Sequence, residues 1–209
     1  MSGGHSCCGG GDHEPGCSLN PANDRSAEFS LYTKINWTEF CTLNEAVKGT
    51  GQKVFKSWED RLSEEYVESD VDGDLIFNIP FTGEVKLMGI IIVGGPGEIH
   101  PTKVRLFKGN YRGFDEVQGE ADQEIELHPD SKGVKEYSIK TTRFNSVSYL
   151  CLHFPGNYGD VDNTRISYIG LRGDFKKINR DAIAITNYEL RPSLADHKNA
   201  LDEGMRHVL

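Results

Sequence analysis

The side chains of this 209-residue chain that could do chemistry fall in a few short stretches. His5, Cys7, Cys8, His13 and Cys17 lie close together near the start. Thiolates and imidazoles at such separations can wrap a zinc or copper ion on a pliant chain. Structural zinc sites use spaced ligand pairs, however, and the adjacent Cys7 and Cys8 suit that geometry poorly. In "SDVDGDLIF", Asp70, Asp72 and Asp74 alternate like the opening of a calcium loop. The residue twelfth in such a loop should be Glu; here it is Phe81, and the glycine comes too early. The competing reading is a solvated turn whose charges discourage edge pairing. Cys151 and His153, in "YLCLHF", would point to one face of a strand, which leaves a thiolate–imidazole pair geometrically open. Against it stands a buried thiol that packs as a small hydrophobe between Leu150 and Leu152. Arg172, between Gly170 and Gly173 in "YIGLRGDF", is either a partner-facing anchor or the ion-pair partner of a nearby carboxylate.

The stronger enzymatic signatures are missing. There is no G-x-S-x-G and no H-E-x-x-H, and Gly94-Gly95-Pro96-Gly97 lacks the Lys-Ser/Thr of a phosphate loop. A non-enzymatic protein without a cofactor is the expectation. The net charge of −9 repels polyanions and the basic residues are scattered, so nucleic acid is not an expected partner. "LIFNIPFTGEVKLMGIIIVGG" is the most apolar stretch, but Asn78, Pro80, Glu84 and Lys86 interrupt it, so no membrane span is expected. The opening residues lack the basic start and apolar segment of a secretory signal. Five cysteines, an odd number with no C-x-x-C pair, then read as reduced thiols. The expectation is an intracellular monomer, cytoplasmic and also nuclear.

These residues need a scaffold, and the apolar pattern predicts one. Residues 1–28 are rich in Gly, Ser, Asn and Asp and read as a disordered tail; 29–190 form the folded domain; 191–209 form a polar tail. Leu75, Phe77, Ile79 and Phe81 alternate with Asn78 and Pro80, which predicts a strand apolar on one face. Thr82-Gly83-Glu84 predicts a turn, and "VKLMGIIIV" a returning strand buried on nearly both faces. "KVRLF", "QEIEL", "KEYSIKT", "SVSYLCLHF", "TRISYIGLRGDF" and "AIAITNYEL" add further short strands. "INWTEFCTLNEA" is a short helix or an irregular lead-in, and "VKGTGQKVF" a loop. "SWEDRLSEEYVESD" is either helical or a coil pinned by aromatics. With no long amphipathic helices between the strands, the fold class is all-β: an antiparallel β-sandwich or jelly roll.

Four segments carry a family resemblance. "VESDVDGDLIFNIPFTGEVKLMGIIIVG", "HPTKVRLF", "RFNSVSYLCLHF" and "ISYIGLRGDF", in that order, resemble the PITH domain, the proteasome-interacting module of the thioredoxin-like family. The resemblance runs from about Phe29 to Leu190 and implies a jelly roll like galactose-binding domains. It also implies association with the regulatory particle of the 26S proteasome. The chain has no Cys-Gly-Pro-Cys and resembles the stand-alone members, so disulfide reduction does not carry over. The end of the chain, Arg206, His207, Val208 and Leu209, is a second candidate handle: a tail able to enter a groove, with an imidazole able to ligate a metal there. Two rival functions remain. One is a glycan-, small-ligand- or metal-binding module using loop aromatics such as Tyr111, Phe114 and Tyr158. The other is a thiol-based metal or redox sensor built on Cys7, Cys8 and Cys17.

Overall fold

Leu75, Phe77, Ile79 and Phe81 do line one apolar face, but the chain does not turn back at Thr82-Gly83-Glu84. In the computed structural model, which describes residues 30–177, Asp74–Gly94 is a single 21-residue strand. Gly83 is a glycine for a different reason than the expected turn. A Cβ there would lie 2.6 Å from the Lys176 carbonyl oxygen and against the Phe175 ring. Its missing side chain allows a close approach between strands, not a reversal.

In chain order the strands are β1 (Cys41–Leu43), β2 (Val67–Glu68), β3 (Asp74–Gly94) and β4 (Lys103–Lys108), followed by β5 (Gln123–Glu126), β6 (Glu136–Ser138), β7 (Val147–Pro155) and β8 (Arg165–Lys176). Every ladder is antiparallel. The first half of β3 lies between β1 and β7, and β4 and β5 continue that layer. Its second half lies between β6 and β8, with β2 at the far edge. The change of partner falls between Pro80 and Val85, where the β7 register slips. Pro80, which has no N–H to give a ladder, sits at the last pair before the slip. The result is an antiparallel jelly roll.

The strand stays buried through this change because a further irregularity resets its parity, and a second does the same for its partner β8. Leu87 and Ile90 both reach the main core although they are three residues apart, and the β8 register shifts between Leu87 and Gly89. Ile166 and Ile169 do the same on β8, next to the shift between Val93 and Gly94. A one-residue bulge turns subsequent side chains to the other face, which keeps the isoleucines inward. Edge-to-face rings extend this core: Phe40–Phe55 at 5.5 Å, Phe55–Phe77 at 5.9 Å and Phe77–Phe154 at 5.7 Å.

Before β3 the sequence patterns were too short to read. "INWTEFCTLNEA" is an irregular lead-in, the second of its two readings, that contains the short strand β1. "VKGTGQKVF" contains a one-turn helix, α1 (Thr50–Lys53), where a loop was expected. Its carboxylate staple is Glu45, which accepts the Gly49 and Gly51 N–H groups at 2.7 and 2.8 Å. In "SWEDRLSEEYVESD" a 3-10 turn, Glu59–Leu62, precedes β2, and its aromatics are pinned by guanidinium groups: Arg61 over Trp58 and Arg165 over Tyr66, each at 4.0 Å. The strand expected at 182–190 and both terminal segments lie outside the described residues.

Phe77 is fully buried and packs edge-to-face against both Phe55 and Phe154, so Phe77→Ala should lower unfolding free energy by about 3–5 kcal/mol. Urea denaturation measures this, with exposed Val71→Ala as a control expected within about 0.5 kcal/mol of the parent.

Candidate functional site

Cys151 and His153 share the outer face of the first layer with Ile76, Asn78 and Phe107, as their alternation predicts. That face is covered. Residues 109–121 fold across it, placing Tyr111, Phe114 and Val117 on the apolar surface. Asn78 holds the cover like a strand partner: its Nδ2 donates to the Tyr111 carbonyl at 2.5 Å, and its Oδ1 accepts the Tyr111 N–H at 3.2 Å. Arg105 holds the far end by donating to the carbonyls of Val117, at 2.8 Å, and Gly119.

Beneath the cover, chemistry is suppressed. Burial, and secondarily the Glu116 carboxylate, push the Cys151 thiol up to about 12. Burial lowers His153 to about 4, assisted by the cations of Arg105 and Lys103. Neither ring nitrogen of His153 makes a hydrogen bond within the described residues. Its Nε2 lies 3.7 Å from Asp74 Oδ2, too long for a hydrogen bond. Burial and the neighbouring Asp72 carboxylate raise the Asp74 pKa, and with His153 lowered to about 4 and so neutral at pH 7 the contact is not an ion pair. A thiol held protonated beside an imidazole held neutral is not a thiolate–imidazole pair. Of the two readings of Cys151, the structure favours the small hydrophobe.

The other predicted residues separate. Asn44, at φ 64°, donates to the Asp72 carbonyl at 3.2 Å, to Asp72 Oδ1 at 2.7 Å and to the Asp74 carbonyl at 2.7 Å. Asp72 Oδ1 also accepts the Asp74 N–H at 3.2 Å, so this carboxylate organises its own turn. Among the described residues no three His, Cys, Asp or Glu side chains are placed to hold a metal ion. Arg172 Nε lies 2.8 Å from Glu136 Oε1. These two stand on β8 and β6, on opposite sides of β3, and meet over Gly89, where a Cβ would lie 2.1 Å from the same oxygen. The carboxylate-partner reading of Arg172 is therefore realised. His5, Cys7, Cys8, His13, Cys17, Arg206, His207, Val208 and Leu209 lie outside the described residues.

Of the loop aromatics, Tyr111 and Phe114 are taken up by the cover, whereas Tyr158 is 47% exposed. It borders an open cavity of about 280 Å³ where β4 begins and β5 ends, lined also by Thr102, Lys103, Glu126, Leu127 and His128. The Tyr158 hydroxyl donates to the Leu127 carbonyl at 2.5 Å, and its N–H to the His100 carbonyl at 3.0 Å. The His100 ring props it from beneath, 5.9 Å between centroids. Sequence reasoning named Tyr158 but missed the rest of this lining. The available signal was the matched alternation of Lys103 and Arg105 with Glu124 and Glu126, which marks the polar faces of two paired strands.

A family model described as the PITH domain matches residues 21–192. A PITH domain-containing protein of Drosophila pseudoobscura is 45% identical over 211 residues, covering 100% of both chains. PITH domain-containing protein 1 of Homo sapiens is 42% identical over 200 residues, covering 95% of this chain and 94% of its own. Among solved structures, one containing the CBM32-1, CBM32-2 and M60 catalytic domains of Clostridium perfringens ZmpB superposes with a TM-score of 0.51 at 9% identity. It covers 78% of this chain and 17% of the other, a likeness of fold.

Two measurements check the sealed face. Brief alkylation of the native full chain should label exposed Cys41 at least about 100-fold faster than Cys151, read by peptide mass spectrometry, and denaturation should abolish the difference. Acidification should destabilise the fold through His153. Its folded pKa is depressed to about 4 from an ordinary 6.5, so the unfolded chain binds the extra proton between those values. The contribution is complete above pH 6.5, on the order of 3 kcal/mol, and is lost as pH falls towards 4. Asp74, whose pKa is raised, works in the opposite sense. Urea midpoints between pH 7 and 4 should fall for the parent and fall less steeply for His153→Leu. Buried His100 and hydrogen-bonded Asp130, their pKa values also lowered, keep part of the slope in that variant.

Proposed function

The chain belongs to the PITH domain family, and on that premise we propose that it is a non-enzymatic adaptor or modulator that docks on the regulatory particle of the 26S proteasome. The observation that carries this reading is the family match across the folded region, supported by relatives that align over almost their whole length. The proteasome association comes from the family resemblance. The geometry supports docking over turnover, because the cysteine and histidine best placed for chemistry are sealed in unreactive states. A rigid sandwich that presents loops at its ends is a common scaffold for binding without catalysis.

In this reading the docking domain spans 29–190, Arg206, His207, Val208 and Leu209 contribute partner contacts, and Arg172 joins them by exchanging Glu136 for a partner group. The protein works as a monomer in the cytoplasm and nucleus. An acidic chain of net charge −9 suits a basic patch on a large assembly, and that charge steers encounter more than it sets affinity. No helix among the described residues is long and apolar enough to cross a membrane.

Affinity purification of the tagged full chain at low salt should recover regulatory-particle subunits, and native gels should show both migrating together. Deleting residues 192–209 should reduce this recovery severalfold. Absence of the protein from gently isolated particles would refute the reading. So would turnover of a substrate by the purified chain that Cys151→Ser abolishes.

A further inference from the structure

From the cavity beside Tyr158 we infer a binding site for an organic cation, an alkylammonium or guanidinium group such as a Lys or Arg side chain carries. The inference rests on the cavity alone and is independent of the proteasome reading.

The tyrosine ring is the base of the site. Because its hydroxyl donates to Leu127, it offers a ligand no free O–H, only its π surface and the remaining acceptor capacity of the phenol oxygen. The ring is held at three points: that hydroxyl, its own N–H on His100, and the His100 ring below. A half-exposed ring fixed in this way is preorganised, and its electron-rich face attracts cations.

Charge around the ring favours the same sign of ligand. Lys103 stands opposite Glu126 in the β4–β5 register, yet its Nζ lies 3.0 Å from Glu124 Oε1. Arg105 Nε lies 3.6 Å from the other oxygen of the same carboxylate. Glu124 thus draws Lys103 and Arg105, and Glu126, exposed at the cavity wall, forms no ion pair among the described residues. Lys135 is the other nearby base; it lies over the Tyr137 ring at 5.1 Å. The Tyr137 hydroxyl accepts the His128 N–H at 2.8 Å, so the same pairing of cation and ring is already in use beside the cavity. What remains for a ligand is an aromatic face, one carboxylate and the His128 imidazole. The Thr102 hydroxyl donates to the Gly156 carbonyl at 3.5 Å, and the Lys103 charge at the wall is paired with Glu124. About 280 Å³ is room enough for one basic side chain.

The test uses the isotope-labelled full chain in low salt, titrated to about 20 mM with four probes: acetyl-Gly-Arg-Gly-amide, the same peptide with neutral citrulline replacing arginine, methylguanidinium and a neutral hexose. The arginine peptide should give saturable NMR shifts centred on Leu127, His128 and Tyr158, with citrulline giving none. Glu126→Gln, an exposed change that leaves the fold intact, should weaken arginine-peptide binding by about three- to fivefold. Tyr158→Ala, accepted only if its spectrum otherwise matches the parent, should weaken it at least as much. A peptide that binds more tightly than methylguanidinium identifies a protein side chain as the source, whereas equal binding identifies a small free cation; both support the site. Equal response to citrulline or to a neutral hexose overturns it. So does the absence of saturation, or affinity unchanged in Glu126→Gln.

Discussion

One strand must be buried twice. β3 is apolar along most of 21 residues, and no single layer can cover that length on both faces. The chain resolves this by passing the strand from one layer to the other near Pro80, then inserting a single-residue irregularity that keeps Leu87, Ile90 and Ile92 turned inward. Much of the remaining structure follows from it. β7 and β8 are the long partners of its two halves, and the short strands β1 and β6 close its free edges. The outward residues Ile76 and Ile91 need covers of their own, supplied by residues 109–121 and by the Trp58 and Tyr168 rings respectively.

Those covers determine what the surface can do. Ile76, left on an outer face, is covered by a loop, and the groups beside it are sealed in the process. Cys151 and His153 are unreactive because Ile76 and Phe107 required shielding from water, and the same shielding removed the solvation that ionised forms need. The Tyr158 cavity stays outside the covers, bounded by the ends of β4 and β5 and the loops that adjoin them.

Much of this was legible in the residue order. Alternation from Leu75 to Phe81 located the inner face, the shared side of Cys151 and His153 followed from period two, and the strands from Lys103 onward lie where their β-rich runs stand. The expected hairpin failed because a glycine flanked by Thr and Glu has the same local signature whether it turns the chain or admits a neighbouring backbone; only β8, some ninety residues later, decides which. β1 and β2 are too short for any periodicity to register. The cavity was illegible for a related reason. It is made where separate loops meet, and the choice of Glu124 over Glu126 by Lys103 is a matter of three-dimensional reach.

The clasp between Glu136 and Arg172 sets terms for any molecule that approaches that face. A visiting carboxylate would compete with one already tethered to the fold, whose effective concentration a diffusing rival cannot match by charge alone. The guanidinium would change hands only for a partner that also solvates or pairs the displaced Glu136, which makes Arg172 selective for two-pronged visitors and indifferent to simple anions.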